Sequence, residues 1–242
     1  ALPILTTTGQ NHVLSKALSA FSSMDKYHAD LRANLEVFKE MAERAEEVEP
    51  IALESYAVTS DWAKALAVVT HYGPGVYSFP YLSEAFCKDL MLELDCMEYS
   101  VNEEEPLEAQ IPEVTFLTEC KPLFDCLHSL WANAGIPLAK VLLGQDPSAL
   151  KTIQAARYTP ENTPRGHWHI DQDSDCTLVV ALTETHEGGG TRVHAGPFEN
   201  SVFVPQLPVG HAMFFNGKAH RHYGCAVTNG ERNLLVHWSE IK

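Results

Sequence analysis

The residues with the clearest chemical potential lie in the last third of the chain. His169 and Asp171 are separated by one residue, His222 follows much later, and Arg232 lies ten residues beyond His222. Two imidazoles and one carboxylate can occupy one face of an Fe(II) ion and leave the opposite face open, which is typical of non-haem iron oxygenases. We therefore predict that His169, Asp171 and His222 bind a metal ion. Both imidazoles must be neutral to bind, so metal affinity should fall below about pH 6.

Arg232 is predicted to bind an anion beside the metal. It opens the apolar run Asn233-Leu234-Leu235-Val236, where a guanidinium would be costly to bury without an anionic partner. The far carboxylate of an oxo-acid co-substrate is such a partner, and it would be held by a bidentate charge-assisted pair.

Other side chains nearby could take the same metal-binding roles. The competing residues are His167, His220, His237, Asp173 and Asp175. We favour His222 over His220 because its spacing to Arg232 fits better. Asp171 is favoured because residues two apart on a strand face the same side, so it can point the same way as His169. His194 and His211 are interpreted as structural or rim residues.

The first part of the chain has a helical pattern. Residues 1 to about 68 are rich in Ala, Glu, Lys and Leu and nearly lack Gly. Apolar residues recur at helical spacing, and they are Leu14, Leu18, Phe21, Leu31, Leu35, Phe38 and Met41. The segment Tyr72-Gly73-Pro74-Gly75 then predicts a turn, followed by a short strand over 76–79. Further helices are predicted from Ser83, as a cap, to about Leu94, and over 116–134.

The part after about Gln154 has a β pattern. Its short, apolar, turn-bounded segments are 155–158, 176–182, 191–194, 201–204, 212–215 and 233–238. Gly188-Gly189-Gly190 and Asn229-Gly230 separate strands at points where positive φ is needed. Many short strands after a helical part predict an α+β protein, namely a double-stranded β-helix, or jelly-roll barrel, buttressed by helices.

The bulk properties exclude several classes of function. A formal net charge of −15 and the lack of a Lys/Arg run disfavour binding to duplex nucleic acid. The six cysteines form no CxxC pair, so a zinc ribbon is disfavoured, although Cys120 and Cys126 could form a disulfide. No apolar run reaches transmembrane length, and the start lacks a basic signal-peptide region. These features favour a soluble, intracellular protein.

The chain resembles the Fe(II)/2-oxoglutarate-dependent dioxygenases, in the branch of the prolyl and lysyl hydroxylases. The resemblance covers roughly Tyr72 to the C-terminus. It is carried by Tyr72-Gly-Pro-Gly-Val-Tyr-Ser-Phe-Pro80, Arg157-Tyr158, His169-Ile-Asp171, Thr177-Leu-Val-Val-Ala-Leu182, Glu187-Gly-Gly-Gly190 and His222 through Gly230-Glu231-Arg232. The first and last of these look most like the 2-oxoglutarate and iron-dependent oxygenase domain-containing proteins. The core is also similar to the catalytic domain of procollagen-lysine hydroxylases.

The resemblance implies roles for individual residues. His169, Asp171 and His222 would bind Fe(II), and Arg232 would bind the distal carboxylate of 2-oxoglutarate. Tyr158 and Thr177 would contact the co-substrate, although Tyr158 could equally be a half-buried strand residue. The resemblance implies a dioxygenase domain over 71–242. The helical pattern before it predicts an N-terminal extension over 1–70 that packs on the core, with a helical interaction module as the alternative.

Two positions depart from the pattern of the relatives. Val179 stands where they usually carry an Asn that contacts the co-substrate. Asp171 also lies six residues before Thr177, one more than in the relatives, and a bulge within 172–175 is expected to absorb the extra residue.

The activity implied is hydroxylation of an unactivated C–H bond with Fe(II), 2-oxoglutarate and O2, releasing succinate and CO2, with ascorbate as a possible support. A protein lysyl or prolyl side chain is the favoured substrate, since an acidic surface suits a basic peptide. The alternatives are a small-molecule or nucleobase substrate, or a metal-binding jelly roll without oxygenase activity.

Overall fold

The computed structural model describes residues 4–5, 11–12, 24–47, 60–107, 110–147, 149–162, 167–194 and 201–241. The helices are α1 (Ala29–Glu47), α2 (Ser60–Leu66), α3 (Glu84–Leu94), α4 (Phe116–Glu119), α5 (Lys121–Leu130) and α6 (Ile136–Leu143). A 3-10 turn over Met24–Lys26 precedes α1, and a π-helical turn over Trp131–Gly135 joins α5 to α6.

The strands follow the helices for the most part, as the sequence predicts. They are β1 (Ile4–Leu5), β2 (Asn11–His12), β3 (Thr70–Gly73), β4 (Val76–Pro80), β5 (Glu113–Thr115), β6 (Ala149–Tyr158), β7 (Cys176–Ala181), β8 (Glu187–Gly188), β9 (Thr191–His194), β10 (Ser201–Val204), β11 (His211–Phe215), β12 (His222–Gly224), β13 (Val227–Asn229) and β14 (Arg232–Glu240). Helices combined with antiparallel sheets confirm the α+β class.

A seven-stranded antiparallel sheet is the largest element of the described chain. Its strand order is β3-β4-β11-β7-β14-β6-β5. A three-stranded sheet has the order β10-β9-β12, and β8 pairs with β13. In the large sheet, β7 lies between β11 and β14 and is apolar almost throughout, as expected for a central strand covered on both faces.

Two apolar clusters cover the two faces of this sheet. The larger includes Leu31, Leu35 and Phe38 of α1 together with strand residues such as Leu178 and Phe214. The smaller joins residues of the large sheet to residues of β9 and β10, and it consists of Val76, Val193, Val204, Met213 and Phe215. Helices therefore support one face of the sheet, and the three-stranded sheet packs near the other.

The helix predicted over 116–134 is broken. Cys120 interrupts it with an extended backbone (φ −152°, ψ 75°), and α5 restarts with a proline in its first turn. The π-helical turn then follows, where a Cβ on Gly135 would lie 2.2 Å from the ring of Trp131. The spacing of apolar residues does not report this close contact between the indole and the backbone four residues later. By contrast, Ser83 caps α3 as predicted and accepts a hydrogen bond from the amide of Phe86.

The N-terminal prediction is only partly matched. Helix α1 carries the predicted apolar face, but β1 pairs with β2 where a helix was expected. Leu14, Leu18 and Phe21 lie outside the described residues. The division into 1–70 and 71–242 stays a prediction. All six cysteines are free thiols, so the alternative of a Cys120–Cys126 disulfide is wrong. In the described part of the chain, no helix is long and apolar enough to cross a bilayer.

Candidate metal centre

Backbone pairing brings the two imidazoles of the predicted metal site together. His169 and His222 form an isolated antiparallel bridge, in which each amide donates to the other's carbonyl at 3.1 and 2.9 Å. His222 begins β12, the last strand of the small sheet, so this bridge attaches the His169 segment to its edge. The ring centroids of the two imidazoles are 4.3 Å apart.

Asp171 completes a compact group of three ligand atoms. Its Oδ1 lies 3.7 Å from Nε2 of His169 and 3.7 Å from Nε2 of His222. The ligand atoms of the three residues all lie within 4.8 Å of one another. Nitrogen and oxygen donors at this spacing can surround one metal ion, so the arrangement fits Fe(II) as the sequence predicts.

The hydrogen bonds of the imidazoles leave the correct nitrogens free. Nδ1 of His169 lies 2.7 Å from the carbonyl of His167, and Nδ1 of His222 lies 3.0 Å from the carbonyl of His220. Carbonyls accept, so each Nδ1 carries the proton and each Nε2 keeps its lone pair for a metal. Burial lowers the pKa of His222 against the opposing effect of Asp171, which keeps this imidazole neutral.

The second oxygen of Asp171 is used by the protein. Thr177 donates to Asp171 Oδ2 at 2.6 Å. The amide of Asp171 donates to the carbonyl of Gly217 at 3.1 Å. A Cβ on Gly217 would lie 2.4 Å from Thr177 Oγ1 and 2.7 Å from Asp171 Oδ2, so only glycine leaves room here. Sequence reasoning missed Gly217, for which the Asn216-Gly217 dipeptide is the only available signal.

His220 and the two histidines interpreted as structural or rim residues have other partners. The ring nitrogens of His220 lie 3.0 Å from the carbonyls of Asn216 and Pro74. His194 packs edge-on against Trp168, and His211 against His28.

His237 lies on the other face of β14. Alternate residues of this strand, from Arg232 to Trp238, line the cavity, whereas His237 is buried between Tyr81 and Trp131.

The competing acids are also placed differently. Asp175 accepts from Lys218 at 3.0 Å and from the amide of Ile241 at 3.1 Å, so it has a structural role. Asp173 lines the cavity but is exposed. Between Asp171 and Thr177, where a bulge is expected, the chain forms a turn closed by the amide of Ser174 donating to the Asp171 carbonyl.

Arg232 is a buried cation that has no anionic partner among the residues that the structure describes. It is 4% exposed, and its Nε and Nη1 have no hydrogen-bond partner among the described residues. Its guanidinium carbon lies 5.7 Å from the ring centre of Tyr158, which faces it across the β6–β14 pair. Burial lowers the pKa of Arg232. An unpaired buried guanidinium is costly, and an anionic ligand would remove this cost.

One cavity contains these groups. It has a volume of about 770 Å³, and its lining includes the three candidate ligands, Arg232 and Tyr158. Thr177 and Val179 also line it, and Val179 contributes an apolar side chain. Tyr158 is half-buried, and burial raises its pKa.

Another part of the same lining is acidic. It includes Glu105, Glu113 and Asp173. Gln154 donates to Glu113 Oε1 at 3.1 Å, which fixes this carboxylate. Burial, reinforced by the nearby Glu105, raises the pKa of Glu113. Among the described residues of the lining, Arg232 is the only lysine or arginine.

The sequence is similar to part of one curated protein. No family model matches the chain. The chain is 28% identical over 182 residues to the multifunctional procollagen lysine hydroxylase and glycosyltransferase of Caenorhabditis elegans. That alignment covers 70% of this chain and 24% of the relative, so the chain spans about a quarter of the relative's length.

Solved structures share the fold. A 2OG-Fe(II) oxygenase family oxidoreductase from Burkholderia pseudomallei has a TM-score of 0.53 at 19% identity, covering 69% of this chain and 85% of that one. A prolyl hydroxylase from Trichoplax adhaerens, solved with a hypoxia inducible factor peptide, has a TM-score of 0.55 at 12% identity, covering 90% and 95%. The resemblance expected from the sequence is confirmed: the chain has the fold of the 2OG-Fe(II) oxygenases and is similar in sequence to part of a procollagen lysine hydroxylase.

Proposed function

We propose that this protein is an Fe(II)- and 2-oxoglutarate-dependent dioxygenase. It hydroxylates an unactivated C–H bond of a protein side chain, lysyl or prolyl, and releases succinate and CO2. The observation that carries this proposal is the unpaired Arg232 in the same cavity as His169, Asp171 and His222. A metal site with a purely structural role has no need for a buried cation beside it, so the alternative of a metal-binding jelly roll without oxygenase activity is disfavoured.

The proposed scaffold is a double-stranded β-helix buttressed by helices. Two antiparallel sheets with a shared apolar cluster between them support it, as do the oxygenases of similar fold. In this scaffold the two histidine ligands lie at the edge of the three-stranded sheet, while Arg232 lies on the seven-stranded one.

The residues divide the work between binding and orientation. Nε2 of His169, Nε2 of His222 and Oδ1 of Asp171 would hold Fe(II). Arg232 would pair with the distal carboxylate of 2-oxoglutarate and thereby fix its orientation. Bound Fe(II), with 2-oxoglutarate and O2, supplies the oxidising chemistry that side chains lack. The cavity wall that includes Val179 is apolar, and it would limit the access of water to bound 2-oxoglutarate.

The acidic lining favours a lysyl side chain over a prolyl one. A lysyl ammonium entering the cavity would meet Glu113 and Glu105, whereas a prolyl ring would offer neither carboxylate a cationic partner. The sequence-similar relative is named as a lysine hydroxylase, which agrees with this choice. A small-molecule substrate stays the alternative.

Succinate release tests the proposed activity. With Fe(II), 2-oxoglutarate and ascorbate, the wild-type chain should form succinate. Asp171→Ala should abolish metal-dependent turnover without unfolding the protein, because it removes the shared oxygen ligand. Asp125→Ala, at an exposed acid paired with Lys121, is the matched control and should keep full activity. Normal turnover by Asp171→Ala would contradict the ligand assignment.

The substrate class is tested with matched peptides. A lysine-containing peptide should stimulate succinate release more than the same peptide with norleucine or proline at that position, because only lysine carries the charge. Equal stimulation by lysine and norleucine would refute selection by charge, and a response to proline alone would favour a prolyl substrate.

A further inference from the structure

The two oxygens of Asp171 have different environments. Oδ1 faces both imidazole Nε2 atoms at 3.7 Å, whereas Oδ2 accepts a short hydrogen bond from Thr177 at 2.6 Å. Thr177 is 1% exposed, so water does not compete for this bond. The carboxylate therefore has one oxygen available for a metal and one held by the protein.

The donors of this network can be assigned by counting protons. An ionised carboxylate only accepts, so the single hydroxyl proton of Thr177 lies on the bond to Asp171. Ser174 Oγ lies 2.9 Å from Thr177 Oγ1 and must donate to it. Ser174 in turn accepts from the amide of Ser239 at 3.3 Å. All three hydrogen bonds donate in the direction of Asp171, and successive hydrogen bonds in such a chain polarise and strengthen one another.

The turn after Asp171 places Ser174 in this chain. The amide of Ser174 donates to the Asp171 carbonyl, and Ser174's own carbonyl accepts from the amide of Lys218 at 2.9 Å. Ser174 is fully buried. The segment 172–175, where a bulge is expected from the sequence, is thus the turn that brings a hydroxyl against Thr177.

We propose that Thr177, oriented by Ser174, is a positioning residue that reserves Oδ2 of Asp171 and presents Oδ1 alone to the metal. This inference rests on the proposed function of the group as a metal centre. It replaces the expectation that Thr177 contacts the co-substrate. A carboxylate of 2-oxoglutarate can only accept, and the one proton that Thr177 could offer is already donated to Asp171.

Metal affinity of the full chain, without co-substrate, is the direct test. Co(II) binding is followed by calorimetry and by the visible absorption of the ion. Thr177→Val removes the hydroxyl at nearly constant volume and should weaken Co(II) binding by about 10- to 100-fold, as loss of an outer-shell partner does. It should also change the absorption spectrum, because Oδ2 becomes free to bind. Thr177→Ser keeps the hydroxyl and should restore both readouts.

Two further variants guard against a general loss of folding. Thr183→Val removes another part-buried hydroxyl, which donates to the carbonyl of Glu231, and should leave Co(II) binding unchanged. Ser174→Ala keeps the bond to Asp171 but frees Thr177 to rotate, so it should weaken binding by a smaller factor. If Thr177→Val does not fold, as judged by thermal unfolding, the positioning role is tested by the Co(II) affinities of Ser174→Ala and Thr177→Ser. Equal affinities of Ser174→Ala and wild type would then contradict it.

The outcomes separate this inference from the proposed function. Absence of Co(II) binding by the wild type would overturn the metal centre and, with it, the role of Thr177. Tight binding by both wild type and Thr177→Val would overturn only the positioning role. A failure of Thr177→Ser to restore binding would assign the effect to packing. A raised requirement for 2-oxoglutarate with unchanged Co(II) affinity would restore Thr177 as a co-substrate contact.

Discussion

Arg232 shows how one residue can indicate a ligand that the described part of the chain does not supply. A buried guanidinium normally has a carboxylate close by. The ring centre of Tyr158 lies 5.7 Å from the guanidinium carbon of Arg232, and burial lowers the pKa of Arg232 more than Tyr158 and Cys225 raise it. Gly189 approaches its side chain closely, and a Cβ there would lie 3.3 Å from Cδ of Arg232. The site is therefore shaped around the guanidinium for an anion.

Arg232→Ala should raise the concentration of 2-oxoglutarate needed for half-maximal turnover. Loss of one partner of a buried charge pair costs about 2 kcal/mol or more, which corresponds to roughly 30-fold. Steady-state kinetics of succinate release measures this effect. Arg232→Lys keeps the charge but loses the bidentate geometry, so its requirement should lie between those of wild type and Arg232→Ala.

Arg192 offers the matched control for that prediction. It is an exposed arginine on β9 that packs over Phe203. Arg192→Ala should leave the 2-oxoglutarate requirement unchanged. If Arg232→Ala behaved in the same way as Arg192→Ala, the anion-binding role would be refuted.

At the scale of elements, the turn between β11 and β12 is attached to the loop that carries Asp171. Gly217 accepts from the amide of Asp171, and Lys218 donates from its side chain to Asp175 at 3.0 Å. The turn thus fixes the loop before β7 and leads directly into His222. Arg232 on β14 is paired with Tyr158 on β6, and because side chains alternate along a strand, both face the cavity.

Gly217→Ala should therefore destabilise the protein. The new Cβ would overlap Thr177 Oγ1 and Asp171 Oδ2, both of which are fixed, and overpacking of this kind costs about 1–3 kcal/mol. Urea unfolding without metal measures the change in the free energy of unfolding. Gly224→Ala is the control, because its Cβ would meet Arg232 only at an ordinary 3.5 Å. It should be neutral or stabilise by about 0.4–1 kcal/mol, and equal losses in the two variants would contradict the steric argument.

At the scale of the whole molecule, His237 makes folding sensitive to acid. It is 1% exposed, and burial lowers its pKa to about 3 from an ordinary 6.5. Between these values the unfolded chain binds a proton that the folded chain does not. The stability contributed by neutral His237 is therefore present above about pH 6.5 and is lost as the pH falls toward 3, by about 1.4 kcal/mol per pH unit.

His237→Gln should flatten this dependence, because glutamine does not titrate. Chemical unfolding at several pH values between 4 and 7 would measure the slope, and the variant should show about one proton fewer taken up on unfolding. His128→Gln, at an exposed histidine of α5, should keep the wild-type slope. Parallel curves for wild type and His237→Gln would show that His237 does not cause the acid sensitivity.

Much of the site could be predicted because binding a metal ion and an anion requires particular residue types. His169, Asp171, His222 and Arg232 were identified from their identities and spacing, and the structure brings them to one cavity. The strands of the second part were also predictable, since each is a short apolar segment between turns. Their full length was not, and β6 begins at Ala149, before the predicted β pattern.

What could not be predicted depends on contacts between distant segments. The need for glycine at position 217 arises from Thr177 and Asp171, which lie about 40 residues earlier. No local pattern reports either contact. The direction of the hydrogen bonds at Thr177 could be assigned only once Ser174 was known to lie beside it.

The backbone bridge between His169 and His222 has a consequence for how a metal is acquired. The two imidazoles are placed by amide–carbonyl bonds of the chain and do not depend on an ion to draw them together. Much of the conformational entropy of assembling the ligands is thus lost during folding and not during binding. A pre-organised receptor of this kind should release and rebind its ion reversibly, and exchange of one divalent ion for another should leave the polypeptide folded throughout.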